Sequence, residues 1–372
     1  KTIKNLFHND KYKRDYMSVT IIPTLECNCA CFYCFERQHH IKQEDSFDWN
    51  KVTEGILHYI EEKLPYVKTL NIAWFGGEPL LKIKEIDDLS EKLIALTEKY
   101  GVDYTASMTT NGTRLKYIPD VCNRLKKNKI SNIQITLDGD RENHDQTRKY
   151  ASDGQGTFED VVKAIKILYL EKFNVSVRIN LNKKNIHTIS NVFDVLEYED
   201  LKKVKLYFGQ LLDYSSGNTS EIYMNIEEFS DTIVKLYEVL KDRGFPYGMD
   251  DHYPTAARAC MACRPDSAVI DCNGNIFKCR TQTGELDKKI GNVLNLENQT
   301  RKEAIQEINW AEWSPFEYSK CTECQFLPLC MCGCPYTLYD NNSTEPICVE
   351  WKYITDYFVV EKIKEAIINE QD

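Results

Sequence analysis

The chain has 372 residues, 42% of them hydrophobic and 28% charged, with a formal net charge of −10. That length admits one large domain plus a smaller one around a substantial core. The acidity argues against a nucleic-acid surface, and no apolar run is long enough to span a bilayer. Fifteen cysteines are more than packing explains. No basic-then-apolar signal pattern stands near the start, so they are expected as thiols held on metal in a reducing cytoplasm rather than as disulfides. The chain opens on Lys1 rather than Met, as expected if an N-terminal segment has been trimmed.

Residues 1–17 are polar and basic with scattered aromatics, and read as a lead-in covering one barrel end. The β-branched run 18–23 is a strand that ends as Cys27-Asn28-Cys29-Ala30-Cys31-Phe32-Tyr33-Cys34 begins. Cys27, Cys31 and Cys34 form one CxxxCxxC loop. Thiolates select iron–sulfur clusters or zinc, and three of them can hold three corners of an iron–sulfur cube while the fourth iron stays open. For these eight residues alone, a zinc loop or buried thiols is the other reading. Residues 49–63 have helical periodicity, with Val52, Ile56, Tyr59 and Ile60 on one face. Strand-like runs recur near 69–75, 104–109, 131–137, 175–181 and 204–210. Amphipathic helices are expected near 83–99, 115–126, 157–170, 188–198 and 226–243. Six β/α units in succession predict an α/β fold, a partial (β/α)6 TIM-like barrel with right-handed crossovers, whose reactive groups gather beyond the strands' C-terminal ends. The cation-rich stretch Arg124-Leu125-Lys126-Lys127-Asn128-Lys129 reads as the wet face of a helix end.

Between about 244 and 258 the pattern changes to dense cysteines, short helices and glycine turns. The expected division is a lead-in at 1–17, the barrel at 18–250, a cysteine-rich domain at 251–350 and a closing helix at 351–372. Cys263 is followed by ten residues, Gly274, four residues and Cys279; then come Cys321-x2-Cys324-x5-Cys330-x3-Cys334 and Cys348. Asp271 to Lys278 reads as a hairpin around Asn273-Gly274. A zinc module could use Cys321 and Cys324 but leaves the other cysteines unexplained.

The first cysteine loop, with aromatic Tyr33 before its last thiol, resembles the signature of the radical S-adenosylmethionine (SAM) superfamily. Gly76-Gly77-Glu78-Pro79 after the second strand resembles that family's GGEP motif, which holds the SAM amino group. Asn111 ends the third strand. Thr136-Leu137-Asp138-Gly139 ends the fourth, with threonine where the family has serine. The resemblance assigns Arg148 to the SAM carboxylate, Arg178 and Asn180 to the nucleoside side, and backbone around Phe208 to Gln210 to adenine. It implies that SAM chelates the open iron, takes one electron and breaks at S–C5′ to give methionine and a 5′-deoxyadenosyl radical. The later cysteines resemble the SPASM domain, which implies two auxiliary [4Fe–4S] clusters and three clusters in all. By that likeness Cys263, Cys279 and Cys334 hold the inner cluster with Cys260 as fourth candidate, and Cys321, Cys324, Cys330 and Cys348 hold the outer one. Cys29, Cys122, Cys272 and Cys332 receive no role, and His144 is read as a structural loop histidine.

SPASM enzymes mostly modify peptides or proteins. Sulfatase-maturing members carry a basic aspartate right after the Gly-x4-Cys cysteine, where this chain has Arg280, and a guanidinium cannot accept a proton. The resemblance therefore implies an oxidoreductase that matures a ribosomally synthesised peptide, with thioether ahead of carbon–carbon cross-links. An anaerobic sulfatase-maturating, formylglycine-forming enzyme is the alternative, and a non-catalytic iron–sulfur electron-transfer protein the remote one. No residue is assigned as the catalytic base. The implied partners are a peptide or protein substrate and an electron donor such as flavodoxin or ferredoxin. The residues before Cys27 are too few for a winged-helix leader-binding module. A separate leader-binding protein, a trimmed module, and direct binding at the barrel mouth and the Lys1-to-Tyr16 arm all stay open.

Overall fold

The computed structural model describes residues 2–38, 48–212, 221–246, 259–331, 333–340 and 346–369. Helix α1 (Thr2–Tyr12) precedes the first strand, and a short α2 (Phe35–Gln38) follows the first cysteine run. Strands β1 (Tyr16–Ile21), β2 (Thr69–Trp74), β3 (Asp103–Thr110), β4 (Ile130–Thr136), β5 (Asn174–Leu181) and β6 (Lys205–Gln210) pair in parallel in chain order. Helices α3 (Trp49–Glu61), α4 (Ile83–Tyr100), α5 (Val121–Lys127), α6 (Arg141–Thr147), α7 (Phe158–Leu170) and α8 (Ile189–Tyr198) lie between them, and α9 (Ile226–Asp242) follows β6. This is the parallel α/β architecture of the expected partial barrel.

Local chemistry explains the element ends. In β1 and β2 the buried residues Met17, Val19, Ile21, Leu70, Ile72 and Trp74 alternate with partly exposed ones, because successive strand side chains point to opposite faces. Helix α4 stops at Gly101, whose φ of 66° is left-handed and whose N–H reaches the carbonyls of Thr97 and Glu98. The single helix expected over 115–126 is instead a 3-10 turn at Leu115–Tyr117 followed by α5. Pro119 between them lacks an N–H to continue a helix, and Asp120 turns left-handed at φ 54°. Three of the four cations of this region are paired: Lys126 with Glu171 at 2.6 Å, Lys127 with Glu91 at 3.0 Å, and Arg124 Nε with Asp87 at 2.8 Å.

The expected boundary at 250 falls outside the described residues, and from Ala259 on the chain returns to the same sheet. Strand β7 (Ser267–Ile270) pairs in parallel with β1, and β8 (Asn275–Phe277) and β9 (Gly291–Asn292) add antiparallel, giving the order β6-β5-β4-β3-β2-β1-β7-β8-β9. The turn between β7 and β8 is the predicted hairpin, with Gly274 at φ 78° and its N–H on the Asp271 carbonyl at 3.0 Å. Six parallel strands were expected; the seventh extends the sheet past β1, and β8, running antiparallel to it, carries the chain to Cys279 back toward the Ser267 end of β7.

Helices α10 (Arg301–Glu312), α11 (Ser319–Thr322), α12 (Leu327–Cys330), α13 (Tyr336–Asp340) and α14 (Trp351–Asn369) complete the chain. Rings of Phe208, Tyr237 and Phe358 meet edge-on at 5.3 and 5.4 Å, tying β6 to α9 and α14. The lead-in differs from expectation. It is the helix α1, where no element was expected, and its apolar residue Phe7 joins Cys263, Trp310, Trp313, Cys321 and Leu327 in a second core. Burying a ring such as Phe7, which is 1% exposed, contributes about 1.5–3 kcal/mol. Among the described residues no helix is long and apolar enough to cross a membrane.

Candidate active site

The cysteine loop leaves β1 and is pinned on both sides by backbone. Gly77 N–H donates to the Thr24 carbonyl at 3.1 Å and Glu78 N–H to the Glu26 carbonyl at 2.9 Å. Ala30 N–H donates to the Lys149 carbonyl at 2.7 Å, and Ala151 N–H to that of Asn28 at 2.8 Å. A Cβ on Gly77 would lie 2.2 Å from Glu26 O, so only glycine permits this approach. The loop forms one wall of a cavity of about 320 Å³. Cys27, Cys31 and Cys34 all line it, and none is in a disulfide. Burial pushes the Cys31 thiol up to about 11, opposed by the neighbouring Arg148 guanidinium.

Of the residues predicted to hold SAM, Tyr33, Gly76, Gly77, Asn111, Thr136, Arg148, Arg178 and Asn180 line the same cavity. They are strung on a polar network. The Tyr33 hydroxyl accepts from Arg148 Nη1 at 2.6 Å and from Asn180 Nδ2 at 3.1 Å, and donates to the Asp138 carboxylate. Arg148 lies 3.6 Å from Asp138, while its Nε is buried with no hydrogen-bond partner among the described residues. Arg178 Nε donates to Asn180 Oδ1 at 2.7 Å. A Cβ on Gly209 would come 2.5 Å from Arg178 Nη2, so the β6 backbone is the bed on which that guanidinium lies. Gln210 lines the cavity as well.

Glu78 and Pro79 depart from expectation. Both are buried and lie outside the cavity lining. The Glu78 carboxylate accepts from Leu80 N at 2.9 Å, Thr110 Oγ1 at 2.7 Å and Asn111 N at 2.8 Å. These bonds tie the end of β3 to the turn after β2, and burial raises the Glu78 pKa against them. His144 sits in α6 rather than in the expected loop, and it is fully buried, which drives its pKa well below 6.5. Its Nδ1 accepts from Asp138 N–H at 3.2 Å, which leaves Nε2–H to donate to Thr157 Oγ1 at 3.0 Å. Thr157 in turn donates to the Arg148 carbonyl at 2.8 Å.

Sequence reasoning missed the outer part of the cavity. Phe35 and Phe75 stack with centroids 6.4 Å apart, and Arg280 lies 4.8 Å over Phe75. Glu36 is the carboxylate among the described lining residues. It is 7% exposed, its Oε1 has no hydrogen-bond partner among the described residues, and burial pushes it up to about 8 despite Arg280 nearby. Its place two residues after Cys34 was the available signal, but no spacing rule marks it.

The later cysteines gather in two places. Cys260 is hydrogen-bonded to Cys263, and Cys279 and Cys334 lie within electrostatic reach of Cys260. Cys321, Cys324, Cys330 and Cys348 line one small cavity between α11, α12 and the start of α14. Cys272 is fully buried and pushed up to about 12 by that burial, as expected of a packing thiol. Cys122 is half-buried, and Cys332 lies outside the described residues. Among the described residues no three thiol, imidazole or carboxylate groups converge on a single-ion site.

Residues 21–196 match the model of the Radical SAM superfamily. This part of the chain is a radical SAM domain. The cysteine-type anaerobic sulfatase-maturating enzyme of Clostridium novyi is 24% identical over 350 residues, covering 86% of this chain and 87% of that protein. Fe-coproporphyrin III synthase of Methanosarcina barkeri is 27% identical over 226 residues, covering 60% of this chain; the chain spans 52% of that protein's length. Among solved structures, anSMEcpe with bound AdoMet and Cp18Cys peptide matches 95% of this chain and 98% of that one at 21% identity and TM-score 0.68. Streptococcus suis SuiB bound to precursor peptide SuiA matches 94% and 78% at 15% identity and TM-score 0.61. These last two likenesses concern the fold.

A radical SAM domain implies a [4Fe–4S] cluster and SAM, and the residues present fit both. Three thiols of one loop face the cavity together with a buried guanidinium whose Nε lacks an acceptor. Cys27, Cys31 and Cys34 would hold the cluster, and Arg148, with its planar fork, suits the SAM carboxylate. When bound, the pair supplies one-electron cleavage of the sulfonium. The chain contributes orientation, through the network joining Tyr33, Asp138, Arg148 and Asn180, and exclusion of water, through the apolar rim.

Proposed function

We propose that the chain is a radical SAM peptide maturase with a SPASM-type domain holding two auxiliary [4Fe–4S] clusters, and that it installs thioether, or less favourably carbon–carbon, cross-links in a ribosomally made precursor. The inner cluster would use Cys260, Cys263, Cys279 and Cys334; the outer one Cys321, Cys324, Cys330 and Cys348. Together with Cys27, Cys31 and Cys34 they make three clusters. A peptide substrate is supported by the peptide-bound complexes of anSMEcpe and SuiB. A flavodoxin or ferredoxin donor and a separate leader-binding protein complete the proposal, in a reducing cytoplasm that suits so many free thiols.

The observation that carries this choice is Arg280. The residue after Cys279 does form part of the cavity wall, where it stacks on Phe75, and a guanidinium there cannot take a substrate proton. Thioether formation balances without it: a C–H and an S–H bond break and a C–S bond forms. One hydrogen atom leaves to the adenosyl carbon, one proton to solvent, and one electron to an auxiliary cluster.

Sulfatase maturation is the second reading. The match to the Clostridium novyi enzyme covers 86% of the chain, and Glu36 puts a carboxylate in the cavity wall. The test incubates anaerobically reconstituted protein, SAM and dithionite with two peptides. One is a small cysteine-containing precursor encoded beside this gene; the other is a cysteine peptide from a sulfatase. A precursor that loses two hydrogens per link and no longer reacts with iodoacetamide supports the proposal. Conversion of the sulfatase cysteine to an aldehyde, with the precursor untouched, replaces it with the second reading.

A further inference from the structure

Two lysines are buried around the second core with no counter-ion at ion-pair distance among the described residues. Lys11 of α1 is 1% exposed and Lys278, next to Cys279, is 5% exposed. Lys11 Nζ donates to the Trp313 carbonyl at 2.6 Å and sits 5.9 and 5.3 Å from the rings of Phe7 and Tyr12. Lys278 Nζ donates to the carbonyls of Arg264 and Ser267, each at 2.6 Å. Among the described residues neither ammonium has a carboxylate within ion-pair distance. Glu312 acts on Lys11, and Glu307 and Asp266 on Lys278, only from farther off. Asp266 is already engaged by Arg14 at 3.1 Å. Both sit around Cys263: it shares the second core with Phe7 and Trp313, which Lys11 touches, and the Arg264 carbonyl that Lys278 holds belongs to the residue after it.

Backbone carbonyls satisfy donors but not charge, and an ammonium taken out of water without an anion is costly. A chain that holds two of them against one thiol is arranged for an anion at that thiol. A [4Fe–4S] cluster on four thiolates is such an anion, and its potential responds to nearby charge and hydrogen bonds.

We infer that Lys11 and Lys278 are built-in counter-ions of the inner auxiliary cluster, raising its reduction potential so that it, rather than the outer cluster, accepts the electron left by substrate oxidation. This rests on the proposed auxiliary clusters. Because a cluster gains negative charge on reduction, two fixed cations favour its reduced form.

The test is EPR-monitored potentiometry of the reconstituted full chain. Variants are Lys11→Met and Lys278→Met, with Lys→Arg at each position to keep the charge and Lys→Gln in reserve should methionine prevent folding. Each neutral variant is expected to shift one cluster's reduction equilibrium at least tenfold toward the oxidised form, which is 59 mV for a one-electron couple. The other two cluster signals should stay fixed, and the arginine variants should keep the wild-type potential. Neutral variants that lose iron from that cluster while the arginine variants retain it count in favour, since only the charge was removed. Three clusters whose potentials ignore both substitutions overturn the inference and leave the auxiliary-cluster reading standing. Wild-type protein showing one cluster alone overturns both.

Discussion

Gly77→Ala separates the packing role of the Gly-Gly turn from its conformational role. Gly76 needs glycine for its backbone, at φ 117°, but Gly77 lies outside the left-handed region, so an added methyl acts by contact alone. That methyl would stand 2.2 Å from Glu26 O, 2.5 Å from Glu26 C and 2.8 Å from Leu25 C, where ordinary contact begins at 3.4 Å. All three are backbone atoms, so no side chain can swing aside; the stem of the cysteine loop must retreat by about 1 Å. Overpacking of this kind costs about 1–3 kcal/mol. A displacement of about 1 Å at a reacting centre lowers rates on the order of 100-fold, and Glu26 adjoins Cys27. The assay is 5′-deoxyadenosine formed from SAM and dithionite by reconstituted protein, with iron per chain and a thermal melt on the same samples. Gly101→Ala is the control: nothing lies within 4 Å of its Cβ, and its φ of 66° costs stability only, about 1 kcal/mol. Gly77→Ala is expected to lose most SAM cleavage and Gly101→Ala to keep it. Wild-type turnover and melting in Gly77→Ala would show that the loop does not rest on this turn.

The other expectations can be checked on the same material. Cys27→Ala, Cys31→Ala, Cys34→Ala together should lower iron from about 12 to about 8 atoms per chain and abolish 5′-deoxyadenosine; equal product would overturn the catalytic assignment. In Gly209→Ala the new methyl meets only the far end of Arg178, so stability should change by less than about 0.5 kcal/mol. Displacing the guanidinium from Asn180 should raise the KM for SAM about tenfold, the worth of one hydrogen bond, with kcat changing less. His144 is held neutral in the fold, so below about pH 6.5 the unfolded chain binds the extra proton and stability falls as pH drops. His144→Gln should lose about 1–3 kcal/mol near neutral pH and flatten that part of the slope in melts taken between about pH 5 and pH 7.

The parallel strands were legible because β-branched runs with helical segments between them admit few topologies, and the cysteine loop fell where barrel chemistry sits. What the sequence did not reveal depends on contacts distant along the chain. Ser267–Ile270 is buried on every residue, so its period says nothing about its partner, and pairing with β1 some 250 residues earlier is a tertiary choice. Helix α1 buries a lysine that local propensity assigns to solvent. Glu36 faces the cavity without belonging to any spacing.

Glu78 shows why a motif fixes an address but not a direction. A carboxylate beside two glycines at the end of β2 could equally meet an ammonium or serve its own backbone, and both tasks select the same residue. Here three donors, from Leu80, Thr110 and Asn111, point at it. Removing a buried acceptor with three donors costs more than losing one ligand contact, because each orphaned donor then bears its own desolvation. Asn111 also reaches back to Asn28 at 2.9 Å and to the Cys27 thiol at 3.7 Å. The carboxylate therefore governs the cysteine loop at one remove, and Glu78→Gln should disturb iron loading before it alters affinity for SAM.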